Sequence, residues 1–289
     1  MTDVHHEVAV KNRLGEGPLW SVKEQAFYWC DLLAYAVFKY VPTTGALERY
    51  PLDTQPGCLV LAEGGGLLLA TAKGFAFYDF QTLTHLKDNI AYQPPARFND
   101  GKLDRQGRLW AGTAPGRPEG HLYRMDAEGV VTIMESGIGI SNGIGWSPDD
   151  RVMYYSDSGG AGVVWAYDFD AATGAISNRR VFLPPTEGKG VADGLTVDSE
   201  GGVWCAFWDG WRVERFAPDG RSLLTIPMPV QRPTSCMFGG ADLTTLYVTS
   251  AGDGFDPAQQ PLAGDVFRIE TGVRGLPEPV FKRGARFSA

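Results

Sequence analysis

The chain repeats itself from end to end. Trp20-Ser21, Leu61-Ala62, Leu103-Asp104, Trp146-Ser147, Val197-Asp198 and Phe238-Gly239 align, and the heads of the six phrases fall on Glu16, Gly57, Asn99, Asn142, Asp193 and Thr234, at spacings of 41, 42, 43, 51 and 41 residues. A period of that size signals a solenoid or a propeller. In a closed ring, equivalent positions lie around one axis, so Glu16, Asn99, Asn142 and Asp193 are expected to converge there.

Each repeat carries the runs of four short strands. The head is followed by a turn and then an apolar second run, as in Phe27-Tyr28-Trp29-Cys30, Leu67-Leu68-Leu69-Ala70 and Val203-Trp204-Cys205-Ala206, which reads as a buried strand. A third run alternates, as in Val37-Phe38-Lys39-Tyr40 and Val213-Glu214-Arg215-Phe216, in the manner of a half-solvated strand. Hairpin glycines such as Gly45, Gly129, Gly174 and Gly220 precede a weaker fourth. Six such units predict an all-β, six-bladed β-propeller, a single domain over residues 1–289 with a central metal site. Closure is expected from the N-terminal run Val4 to Val10, pairing as the outer strand of the last blade beside Pro279-Val280-Phe281.

Composition narrows the function. A net charge of −8 argues against nucleic-acid or membrane-surface partners. There is no apolar run long enough to span a bilayer, and the opening Met1 to Glu7 is too polar for a secretory signal. Cys30, Cys58, Cys205 and Cys236 lack metal-knuckle spacing, and two lie in buried second runs, which fits a reduced, cytoplasmic protein. A monomer or weak homo-oligomer is expected.

Polar residues at the heads can simply cap loops. Two carboxylates and two amides aimed at one axis are a different matter, because they repel or stay unpaired unless a cation joins them. Hard oxygen donors of this kind suit Ca²⁺, Mg²⁺ or Mn²⁺. The expectation is one divalent metal ion per chain.

The motifs Leu14-Gly15-Glu16-Gly17-Pro18-Leu19-Trp20, Arg97-Phe98-Asn99-Asp100-Gly101-Lys102, Ile140-Ser141-Asn142-Gly143, Ala192-Asp193-Gly194-Leu195 and Thr234-Ser235-Cys236-Met237-Phe238-Gly239-Gly240 resemble those of the senescence marker protein, regucalcin and gluconolactonase family, in order and over nearly the whole chain. That resemblance implies a six-bladed propeller hydrolysing sugar lactones with one divalent metal (Ca²⁺, Zn²⁺, Mn²⁺ or Mg²⁺) held by Glu16, Asn142 and Asp193. It implies substrate binding by Arg97 and Asn99, with Asp193 as the acid/base. The sequence departs from the family in one loop: Ala114 to Gly120 is short, Gly116 stands where near relatives carry a substrate-binding Glu, and Glu119 is the available substitute.

Two other classes fit the same polar ring, a propeller phosphotriesterase and a non-enzymatic calcium-binding propeller. Gly139-Ile140-Ser141-Asn142-Gly143 also satisfies G-x-S-x-G, but that elbow needs a strand before and a helix after the Ser, and Ile144 to Asp150 reads as strand and turn. Asp31 and Asp157 end second strands and are expected to cap turn amides. The eight tryptophans are expected to pack between blades, and His5-His6 to be plain strand surface.

Overall fold

A computed structural model describes residues 3–86, 97–159 and 162–287. The six repeats form six four-stranded antiparallel sheets, five in plain meander order and the last completed by the N-terminal strand. The heads lie on the innermost strands: Gly15–Ser21, Pro56–Leu61, Phe98–Leu103, Ser141–Trp146, Val191–Val197 and Pro233–Gly239. This is the six-bladed propeller read from the period. Numbering blades by these strands, the second strands are buried almost throughout, while fourth strands such as Ala46–Pro51 are largely exposed. Burial falls from the inner strands to the rim because only the rim meets water.

The core is distributed between blades. Cys58, Val60 and Phe75 of blade 2 pack with Phe98, Leu103 and Tyr123 of blade 3, and five similar clusters complete the ring. The repeat motif itself is a clip. Asp104 accepts from the amides of Gln106 and Arg108, from Arg108 Nε at 2.6 Å and from the Trp110 indole at 3.0 Å. Asp198 does the same with Glu200, Gly202, Arg215 and Trp204. A buried carboxylate thus closes the turn after the head strand and anchors a tryptophan of the next strand, which satisfies both polar groups at once. Near the axis the inner strands nearly touch. A Cβ at Gly57 would stand 2.6 Å from the Phe98 carbonyl, and one at Gly143 would stand 2.3 Å from Leu195 N.

The N-terminal strand Val4–Val8 does complete the last blade, but not beside Pro279-Val280-Phe281. Its partner is Val266–Glu270, in the register Val4↔Ile269 and His6↔Phe267. Two prolines explain the difference, since Pro277 and Pro279 lack the amides a ladder needs. The C-terminal segment instead crosses the face opposite the cavity described below. Ser199 N donates to Arg274 O, Phe281 bridges Ala62 in parallel and fills the core between blades 2 and 3, and Gly284 N donates to Ala127 O. Glu278 lies between these anchor points, 3.8 Å from Lys102.

His6 is also more than strand surface. Its Nε2 lies 2.8 Å from the fully buried Asp265, which takes further bonds from Val10 N, Lys11 N and Lys11 Nζ. Thr234 Oγ1 closes the inner seam by donating to Gly15 O. The four cysteines are free and buried. Among the described residues no helix is long and apolar enough to cross a membrane.

Candidate active site

Every inner strand breaks register at its head, between Glu16 and Leu19, Pro56 and Cys58, Phe98 and Gly101, Ser141 and Ile144, Ala192 and Leu195, and Pro233 and Ser235. A bulge leaves residues out of the ladder and re-aims their side chains. Six bulges at equivalent depth therefore turn the head residues toward the axis.

The result is a cavity of about 320 Å³. Glu16, Arg97, Asn99, Asn142, Ser158 and Asp193 form its polar side, and Leu14, Ile140, Val191 and Trp208 its apolar side. The amides are fixed by a chain of hydrogen bonds. Arg97 Nη1 donates to Asn99 Oδ1, Asn99 Nδ2 donates to Asn142 Oδ1 at 3.0 Å and to Ser141 O at 2.7 Å, Asn142 Nδ2 donates to Ser158 Oγ at 2.7 Å, and Ser158 Oγ donates to Ala192 O at 2.6 Å. The Asn142 amide thus spends its nitrogen on Ser158 and turns its oxygen inward, where one lone pair remains beyond the bond from Asn99.

The carboxylates are poorly partnered, since among the described residues Glu16 accepts only from its neighbour Gly17 N, at 3.3 Å. Glu16 and Asp193 are 5% and 3% exposed, and Asp193 Oδ1 is buried with no hydrogen bond. Burial, reinforced by the charge of Asp100, raises Glu16 to about 8. Burial, with repulsion from Glu16 and Asp100, holds Asp193 well above the usual carboxylate range. Desolvation lowers the Arg97 pKa, and Glu16 opposes that fall. Two buried, mutually repelling carboxylates with an orphaned oxygen and an inward amide oxygen form a donor set that fits a divalent cation. Among the described residues no three His, Cys, Asp or Glu side chains gather into a metal cage, so the amide is what completes this set.

With that geometry, the kinship of the chain can be read. Residues 14–252 match the family model described as SMP-30/Gluconolactonase/LRE-like region. The chain belongs to this family. It is 38% identical over 278 residues to a 6-deoxy-6-sulfogluconolactonase of Pseudomonas putida, with 93% of this chain and 94% of that protein covered. It is 37% identical over 280 residues to a pentonolactonase of Haloferax volcanii, covering 92% and 94%. Among solved structures it superposes on a regucalcin of Agrobacterium tumefaciens, described as a calcium-binding protein, with a TM-score of 0.92, 27% identity and 97% of each chain covered.

Within this member of the SMP-30/gluconolactonase family, four of the six heads share one cavity, together with Arg97. Glu119 is not brought there. It is exposed, ion-paired with Arg117 at 2.5 Å, and outside the cavity wall. Ser141 sits fully buried within the strand Ser141–Trp146, so no elbow exposes it. Asp31 accepts from the amides of Arg13, Leu14, Leu33 and Ala34, and Asp157 from those of Gly139, Ile140 and Gly159, which makes both loop caps. Trp20, Trp29, Trp110, Trp146 and Trp204 are buried in the packing, but Trp208 lines the cavity.

Two residues near the carboxylates escaped the sequence reading. Asp100 follows the head Asn99, where the other five repeats have Gly17, Cys58, Gly143, Gly194 and Ser235; it is the one charged residue in a column of small ones. Its charge reaches both Glu16 and Asp193. Ser158 lies outside the repeat phrase, and nothing in its sequence context points to Asn142.

Proposed function

We propose that this cavity opens sugar lactones, with one divalent cation held by Glu16, Asn142 and Asp193 and the substrate bound by Arg97 and Asn99. The chain is a lactone hydrolase by kinship, since two relatives that match almost its whole length are lactonases of sugar acids. The observation that carries the site assignment is the orphaned, buried Asp193 oxygen beside Glu16 and the inward Asn142 oxygen. A cation bound there supplies Lewis acidity toward a carbonyl oxygen and lowers the pKa of nearby water.

The protein's own groups do the remaining work. Asp193 is the acid/base of this proposal: one carboxylate oxygen serves the cation while the other takes the proton of the attacking water and returns it to the ring oxygen as the acyl C–O bond breaks. Arg97 brings a fixed fork of donors that suits hydroxyls or a carboxylate on a sugar acid. Asn99 holds Arg97 on one side and Asn142 on the other, so it couples substrate binding to the donor set. The apolar side of the cavity limits water around the reacting ester.

Purified protein is stripped with chelator, reloaded with Ca²⁺, Mn²⁺, Mg²⁺ or Zn²⁺, and assayed with a pH indicator on D-glucono-1,5-lactone and on a fluorophosphate ester. The expected result is metal-dependent acid release from the lactone far above that from the fluorophosphate. The reverse preference would assign a phosphotriesterase. No turnover of either by fully loaded protein would leave a cation-binding propeller without hydrolase activity.

A further inference from the structure

The cavity is two-sided, and its apolar side is organised around one residue. Trp208 ends the strand Val203–Trp208 and pairs directly with Val191, two residues before Asp193. The sheet register therefore fixes the indole relative to Asp193. The strand also runs one residue further than its counterparts. In blades 1 and 4 the residue opposite the one before the head is Asp31 or Asp157, whose carboxylate caps loop amides and ends the strand, whereas in blade 5 that place is taken by Phe207, opposite Ala192, and Trp208 follows it.

Trp208 is held from outside the cavity. The Arg232 guanidinium lies 4.5 Å over its ring and 4.5 Å over the ring of Phe255, so the cation sits between two aromatic faces. Arg232 Nε donates to Asp209 at 2.7 Å and Nη1 to Asp253 O at 3.2 Å, and Asp209 also takes a 2.9 Å bond from Gln231. A planar guanidinium committed in this way stacks rather than reaches for solvent. Arg232 does not line the cavity, and Trp208 does.

We infer that Trp208 is the specificity-determining platform of this site: the C–H face of a ring lactone stacks on its indole while the polar edge meets Arg97 and Asn99, and Arg232 is the positioning residue that keeps the platform in place. The ring C–H bonds of a polyhydroxylated lactone carry partial positive charge, and the indole face carries partial negative charge. Leu14, Ile140 and Val191 continue the apolar side but offer no such face. The substrate class is thus a cyclic lactone with an unbroken C–H face, of which D-glucono-1,5-lactone is an example. This inference rests on the lactonase reading.

The test uses the full-length, metal-loaded protein with Trp208→Leu, Trp208→Phe, Arg232→Ala and Arg232→Lys. Trp208→Leu keeps an apolar wall without a π face, and it is expected to raise KM for D-glucono-1,5-lactone roughly tenfold while kcat stays within about twofold and metal content is unchanged. Trp208→Phe is expected to stay within about threefold of wild type. Arg232→Ala should move KM in the same direction, and Arg232→Lys, which keeps the charge but not the planar stack, should restore it only in part. An unchanged KM in folded, metal-loaded Trp208→Leu overturns the inference. Calorimetric binding of D-glucono-1,5-lactam separates this from the parent reading. Lactam binding weakened by Trp208→Leu, in a protein that hydrolyses no lactone, supports the platform and sinks only the hydrolase assignment. Equal binding, or none by the wild type, overturns the platform.

Discussion

Substituting Asp193 by asparagine should stabilise the metal-free protein and abolish its response to metal. Asp193 is 3% exposed, has one oxygen without a hydrogen bond, and is repelled by Glu16 and Asp100. An isosteric amide is neutral without having to take up a proton, and it brings N–H donors to a pocket of acceptors. Relieving one unsatisfied buried polar atom is worth about 1–3 kcal/mol. For a chain of this size that corresponds to a rise in Tm of about 2–6 °C. With cation the sign reverses. A ligand at a hundred times its Kd stabilises the wild type by about 2.7 kcal/mol, and Asp193→Asn should lose that increment. Calorimetric melts of both proteins, in chelator and in excess Ca²⁺, supply the four values. If Asp193→Asn melts below wild type in chelator by a similar margin, the carboxylate serves the fold and the reasoning fails.

Three further outcomes follow from the same geometry. Arg97→Ala should lower kcat/KM for lactones by about ten- to a hundredfold with metal content still near one per chain, measured by elemental analysis; parallel loss of metal would place Arg97 in the donor set instead. Ser141→Ala should keep more than about a tenth of the activity, because loss of a nucleophile costs several orders of magnitude; a covalent adduct on Ser141 from a serine-directed inhibitor would contradict this. In chelator, Tm should fall as pH rises from 5 toward 8. Glu16 is raised from 4.5 to about 8, so the folded state holds a proton that the unfolded state releases, and that stability is lost as the pH climbs through the window. Asp100, raised to about 6, and Asp193, raised well above the usual carboxylate range, add to the slope with the same sign, while surface carboxylates lowered by hydrogen bonds, such as Asp79 and Asp168, act below this window. Saturating Ca²⁺ should flatten the slope, and a slope equally steep with and without it would refute the linkage.

The period was legible because the packing between blades imposes it. Each repeat supplies an inner strand that passes close to its neighbour, as at Gly57 and Gly143, and a buried second strand, and some add a turn clip such as Asp104 or Asp198. What the sequence alone left obscure were the departures from that period. Asp100 breaks a column of small residues, Trp208 extends its strand one residue past the place where Asp31 and Asp157 cap loops, and both stand beside the carboxylates. A repeat is detected by averaging, and averaging hides such exceptions. The position of the C-terminal segment was obscure for another reason: Leu276-Pro277-Glu278-Pro279 has no period at all, and its path is set by contacts to blades far away in sequence.

The strand Val4–Val8 is the one blade component supplied from the opposite end of the chain, and its departure would leave Val266–Glu270 as a bare edge. Such an edge accepts any matching strand, including the same strand from a second molecule. A single buried carboxylate, Asp265, pins His6, Val10 and Lys11 at this join. Shortening the N-terminus, or fusing a tag that pulls on it, therefore puts solubility at risk before it touches catalysis. The same join is where reciprocal strand exchange between two chains would make a dimer without creating a single new kind of contact.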